Sequence, residues 1–178
     1  MTFPIVTGRV WKFGDNISTD LIMPGFVLSR PDITDGEASQ YIMNSNRPGW
    51  AKQVNPGDMI VGGKNFGCGS GRPTTHLLNA LGISCIVAES IARVFFRNCI
   101  GSGFPVFIAP GIQDFCSEGN IIEINFESGK IENRTVGKTM KGEAMPSDSP
   151  PFMILKAGGL TPLLEKEFPP QIDPDKKN

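Results

Sequence analysis

The chain holds a single histidine, and none of its four cysteines falls in a C-x-x-C pair. Cys68, Cys85, Cys99 and Cys116 are spread evenly instead, so the ligand clusters on which a zinc or iron–sulfur site draws are missing and no metal is expected here. Cys85 in ISCIVA and Cys99 in FFRNCIG have the settings of small buried hydrophobes rather than of disulfide partners. Excess charge of either sign is also absent: 17 Lys+Arg stand against 18 Asp+Glu among 178 residues. Without a basic field to draw nucleic acid or an anionic membrane, small molecules and proteins are the expected partners. No apolar run nears the roughly 20 residues that span a bilayer. The first residues, MTFPIVTGRVW, lack a charged start followed by an apolar stretch. A soluble, cytoplasmic protein is the expectation.

Glycine, in contrast, is concentrated in one loop. GGKNFGCGSGRPTTHLLNALG, Gly62–Gly82, carries five glycines, Cys68, Ser70 and Arg72 ahead of a helix-like run. The flanking segments alternate strand and helix. IVTGRVWKFG reads as a strand leading into a polar loop, DNISTDLIMPGF, that closes on Pro24. DITDGEASQYIMN has Asp and Thr as caps for a helix, and NPGDMIVGG is a turn feeding an apolar strand. Pro73 suits a first helical position, Leu77, Leu78 and Leu81 share a face, and Gly82 is a stop, which predicts a helix over 73–81. ISCIVA and FPVFIAP read as strands around a helical SIARVFFRNCIGSG. NIIEINFESGKIENRTVGKTMKGE alternates with period two around Ser-Gly and Val-Gly turns, the pattern of an antiparallel meander. SPPFMILKAGGLTPLLEKE returns to a helical pattern interrupted by Gly158 and Gly159. This is α/β organisation, expected as one domain over residues 1–168 with a disordered tail at 169–178.

The loop admits three cargoes: a phosphate, an acyl group attacked by Cys68 or Ser70, or a carboxylate held by Arg72. Gly67-Cys68-Gly69-Ser70-Gly71-Arg72 fits neither G-x-x-x-x-G-K-[ST] nor G-x-G-x-x-G, and the G-x-S-x-G elbow fails at Cys68 and Arg72. A cysteine nucleophile has only His76 as a base. A carboxylate cradle is physically coherent: Gly69 and Gly71 bring backbone N–H groups close, a helix N-terminus adds partial positive charge, and Arg72 supplies a planar fork. Ser70, between two glycines, then has an unobstructed hydroxyl for service as base or nucleophile. A plain glycine-rich turn with a surface arginine is the structural alternative.

GRVWKFGDNISTDLIMPG, GDMIVGGKNFGCGSGR, CIVAESIARVFFRNCIGSGFPV and LKAGGLTPLL together resemble the small subunit of 3-isopropylmalate dehydratase, the swivel domain of the aconitase superfamily, in order from Gly8 to Leu164. The resemblance implies a swivelling β/β/α domain: a mixed sheet with flanking helices and a C-terminal meander. It implies a large-subunit partner, in a heterodimer or heterotetramer, that carries a [4Fe-4S] cluster, with no cofactor in this chain. It implies hydro-lyase chemistry on a small, malate-like hydroxy dicarboxylate, with Ser70 as the base and Arg72 on a substrate carboxylate. Thr19 and Asp20 would lie beside the site, orienting substrate or polar partners. The segment Phe26, Val27, Leu28, Ser29 and Arg30 would help to set which substrate side chain is accepted. The family's usual G-S-S-R-E-H is here Gly69-Ser70-Gly71-Arg72-Pro73-Thr74, so a second serine, a glutamate and a histidine are replaced. A homoaconitase, citraconate, maleate or dimethylmalate type of hydratase therefore stays open, as does a ligand-binding swivel domain without catalysis.

Overall fold

The computed structural model describes residues 3–169, so the expected tail lies, but for Pro169, outside the described residues. Ile5–Lys12 forms strand β1. Thr19–Ile22 and Gly25–Leu28 form short helices α1 and α2, and Asp35–Ser39 forms α3, closed at its start by a capping box between Thr34 and Glu37. After a 3-10 turn at Trp50–Gln53 come β2 (Met59–Gly62), α4 (Thr75–Leu81), β3 (Cys85–Ala88), α5 (Arg93–Gly101), β4 (Val106–Ile108) and α6 (Ile112–Phe115). The meander follows as β5 (Ile121–Asn125), β6 (Lys130–Asn133) and β7 (Lys138–Lys141), and the chain continues into α7 (Pro150–Ala157) and α8 (Leu160–Glu167).

All seven strands join one sheet in the order β4-β3-β2-β1-β5-β6-β7. β1 to β4 are parallel, and β5 pairs antiparallel with β1, so the expected mixed sheet is present and its two halves meet at β1. The residues explain the division. MIVG and CIVA are buried at every position, as strands covered on both faces must be, whereas β5 alternates between buried Ile122 and Ile124 and less buried neighbours. The expected turns at Gly129 and Gly137 fall between β5, β6 and β7, both with positive φ. Gly158 and Gly159 separate α7 from α8, as the interrupted pattern predicted.

The elements that differ from expectation lie near the loops. The polar loop after β1 contains α1, because the Ser18 hydroxyl caps the backbone of Leu21. The helix over DITDGEASQYIMN is confined to its first part, residues 40–49 being mostly turns. α4 begins at Thr75 rather than Pro73. Pro73 itself would suit a first helical turn, but the Arg72 side chain is tied to Met23 O and residues 72–74 lead into the helix, with Thr74 as its N-cap.

One buried charge fastens the parallel half together. Asp58, before β2, is 4% exposed and accepts from Arg9 Nε (3.0 Å) and Nη2 (2.6 Å), Trp11 Nε1 (2.7 Å) and the Asn55 amide (2.9 Å). Burial works against its charge, but these donors and the Arg9 cation more than offset it and hold the carboxyl below its ordinary value. A carboxyl depressed by folding contributes stability above about pH 4 that is lost as pH falls through the lowered value. Asp58→Asn should therefore cost about 1–3 kcal/mol at neutral pH. In urea titrations the gap from wild type should close as pH is lowered below the carboxylate range.

Candidate functional site

Because β1, β2 and β3 run parallel, their carboxyl ends share one edge of the sheet, where open α/β sheets place ligand sites. The loops that leave these ends keep pairing. Ser18 bridges Cys68 and Phe66 bridges Ile91, both in parallel sense. Gly67 N–H donates to Ile17 O (2.7 Å), Thr19 N–H to Cys68 O (2.8 Å) and Ala92 N–H to Phe66 O (2.8 Å). A side chain at residue 67 would overlap the Phe95 ring, so only glycine lets the loop cross α5 this closely.

The loop brings five of the sequence-predicted residues into contact, in two groups. Asp20 Oδ1 accepts from Ser70 Oγ at 3.0 Å and pairs with Arg72 Nε at 2.6 Å. Arg72 Nη1 also donates to Met23 O at 2.7 Å. Thr19 is fully buried, and its hydroxyl accepts from Gly71 N–H at 3.1 Å. Thr19 therefore orients the loop rather than reaching outward. Gly69 and Ser70 are exposed, and among the described residues their N–H groups and Arg72 Nη2 have no protein acceptor. These are the donors left for an anion. Gly71 N–H, expected in the cradle, is spent on Thr19, and the expected helix N-terminus is displaced, since α4 starts three residues past Arg72.

The segment Phe26–Arg30 is the end of α2 and its exit, not a loop throughout. Val27 is buried, while Phe26, Leu28, Ser29 and Arg30 are exposed. Phe26 is braced edge-on against Tyr41 with ring centroids 4.9 Å apart. Arg30 pairs with Asp32. The start of α2 abuts the site, since a side chain at Gly25 would begin 3.6 Å from the Arg72 guanidinium nitrogens.

His76 lies on α4 with Nε2 3.8 Å from Asp35 Oδ1, and no hydrogen bond joins it to Cys68. The Cys–His arrangement is thus not assembled. Cys85, Cys99 and Cys116 are buried, and burial pushes all three thiols up, Cys116 to about 11. Such thiols are poor metal ligands, and among the described residues no group of three His, Cys, Asp or Glu side chains is placed to hold a metal ion.

Some participants had no sequence signal as site residues. Val94 and Asn98 read only as part of an amphipathic helix, yet Asn98 Nδ2 approaches Gly71 O at 3.4 Å and Val94 Cγ1 lies 2.9 Å from where a Cβ on Gly71 would stand.

This sheet, with its loops converging at the carboxyl ends of parallel strands, is that of an aconitase swivel domain, and the family described as Aconitase C-terminal domain matches residues 30–109. The isopropylmalate/citramalate isomerase small subunit of Methanocaldococcus jannaschii is 47% identical over 169 residues, covering 92% of this chain and 96% of that protein. The 3-isopropylmalate dehydratase small subunit 1 of Methanopyrus kandleri is 40% identical, covering 93% and 95%. A crystal structure of 3-isopropylmalate dehydratase (leuD) from Methanocaldococcus jannaschii superposes with a TM-score of 0.83 at 36% identity, over 92% of this chain and 95% of that one. The chain belongs to the family of 3-isopropylmalate dehydratase small subunits, hydro-lyase subunits of the aconitase superfamily.

Gly71, between Ser70 and Arg72, has φ +73°. Gly71→Ser should cost about 1–2 kcal/mol for the left-handed backbone, plus the contact with Val94, whose χ1 is restricted on a helix. Thermal unfolding of Gly71→Ser, Val94→Ala and the double variant should show Val94→Ala relieving the contact part alone.

Proposed function

We propose that this chain is the catalytic small subunit of a two-subunit hydro-lyase that dehydrates a malate-like hydroxy dicarboxylate and rehydrates the product, with Ser70 as the base and Arg72 holding a substrate carboxylate. The observation that carries the reading is the shared carboxylate of Asp20, which takes the Ser70 hydroxyl and the Arg72 guanidinium on the same oxygen. With its proton directed at Asp20, the Ser70 oxygen turns its lone pairs toward solvent. When it takes a proton from substrate carbon, its own proton has an acceptor 3.0 Å away. Arg72, pinned through Nε and Nη1, leaves Nη2 for a carboxylate, and the Gly69 and Ser70 amides of the same loop are free to donate to developing negative charge.

The cysteines of this chain do not fit a cluster, and the expected [4Fe-4S] cluster on the large subunit would supply Lewis-acid assistance to the substrate hydroxyl. What this chain contributes is the base, the anchor and, through Phe26, Leu28, Ser29 and Arg30, part of the wall that meets the substrate side chain. Isopropylmalate and citramalate, the acids named for the relatives, are the first substrates to assay. A homoaconitase-type acid, citraconate, maleate and dimethylmalate complete the panel.

The test is co-expression with a cluster-bearing large subunit and assay under anaerobic conditions. Ser70→Ala should lower kcat by about 10²–10⁴-fold with little change in KM. Arg72→Lys should raise KM, because an ammonium cannot reproduce the planar fork. Cys68→Ala should have only a modest effect. Undiminished turnover by the Ser70→Ala enzyme would eliminate the assigned base, and loss of activity in Cys68→Ala alone would favour cysteine chemistry instead.

A further inference from the structure

We infer that Val94 is a specificity-determining residue, the apolar wall against which the substrate's alkyl substituent packs; the inference rests on the hydro-lyase reading above. The donors at the loop tip serve one carboxylate of a malate-like acid, but the loop itself offers no apolar surface. Such surface lies on either side of it. Phe26 (43% exposed) and Leu28 (56%) stand on α2, next to Gly25 and the Arg72 guanidinium. Val94 (59%) stands on α5, against Gly71.

Val94 differs from its helix neighbours. Phe95, Cys99 and Ile100 are buried in the core, and Arg93 and Arg97 are exposed cations without an ion pair among the described residues. Val94 alone puts a large aliphatic side chain on the exposed face of α5. It does so beside the residue that separates Ser70 from Arg72, and with Arg97 and Asn98 it lines a surface hollow. Its Cγ1 falls 2.9 Å from the position a Cβ on residue 71 would take, so the methyl fills the space that Gly71 leaves open. Val94 thus packs against the one residue that joins base to anchor, and on the proposed reading the size of residue 94 sets the room on that side of the loop. Because one methylene in a hydrophobic pocket changes selectivity by about 10–200-fold, altering residue 94 should re-rank substrates by alkyl size.

The experiment uses the reconstituted two-subunit enzyme with malates that differ only in carrying a methyl, ethyl or isopropyl group. Val94→Ala should raise the ratio of kcat/KM for the isopropyl over the methyl acid by about tenfold, and Val94→Phe should lower it by a similar factor. A residue that only supports the fold would change all three acids together. Ratios that stay within about twofold, or that move the same way in both variants, overturn the inference while leaving the hydro-lyase reading intact. If Val94→Phe fails to fold, the direction of the Val94→Ala shift decides. A wild-type pair inactive on the methyl, ethyl and isopropyl acids and on the panel above overturns the hydro-lyase reading, and this inference with it.

Discussion

Everything at this site depends on parallel strand pairing that does not stop where the strands stop. β1, β2 and β3 end together, and the Ser18–Cys68 and Phe66–Ile91 bridges carry the same sense of pairing into their loops. A glycine-rich loop alone would sample many backbone states, and ordering each residue costs about 1–2 kcal/mol. Here that cost is offset by backbone hydrogen bonds to rigid neighbours on both sides, from Gly67 to Ile17, Thr19 to Cys68 and Ala92 to Phe66. The loop tip at Gly69 and Ser70 is then left exposed on a fixed support.

Two carboxylates divide the electrostatic work along β1. Asp58, buried near the start of β2, takes four hydrogen bonds from Arg9, Trp11 and Asn55 and so ties the central strand to its neighbour. Asp20, half-exposed beyond the other end of β1, takes Ser70 and Arg72. The first is satisfied within the fold. The second leaves Arg72 Nη2 and the Gly69 and Ser70 amides without a protein partner among the described residues.

Much of the fold was legible because period and punctuation are local. The unbroken apolar runs MIVG and CIVA marked strands buried on both faces, alternation marked β5, and glycines marked the turns of the meander and the break between α7 and α8. Short elements were not legible. α1 and α2 hold four residues each, too few for a hydrophobic period to show, and α1 depends on the Ser18 cap. The start of α4 was misplaced because Pro73 has the right φ for a first helical turn, while the side chain of Arg72 is anchored to a carbonyl 49 residues away and Thr74 is the N-cap.

By itself the sequence determined the strand and helix periods, the glycines that permit the loop, and the Ser70–Arg72 pair within it, since each is encoded within a few residues. It also carried the likeness to a family, spread over motifs from Gly8 to Leu164. Only the tertiary structure decided that Asp20 receives both Ser70 and Arg72, that Thr19 takes the Gly71 amide from the cradle, that Val27 turns inward, and that Val94 fills the space beside Gly71. The reason is separation along the chain. Asp20 meets Ser70, and Val94 meets Gly71, only because three parallel strands bring their carboxyl ends to one edge, and no local pattern records that a strand is parallel to its neighbour.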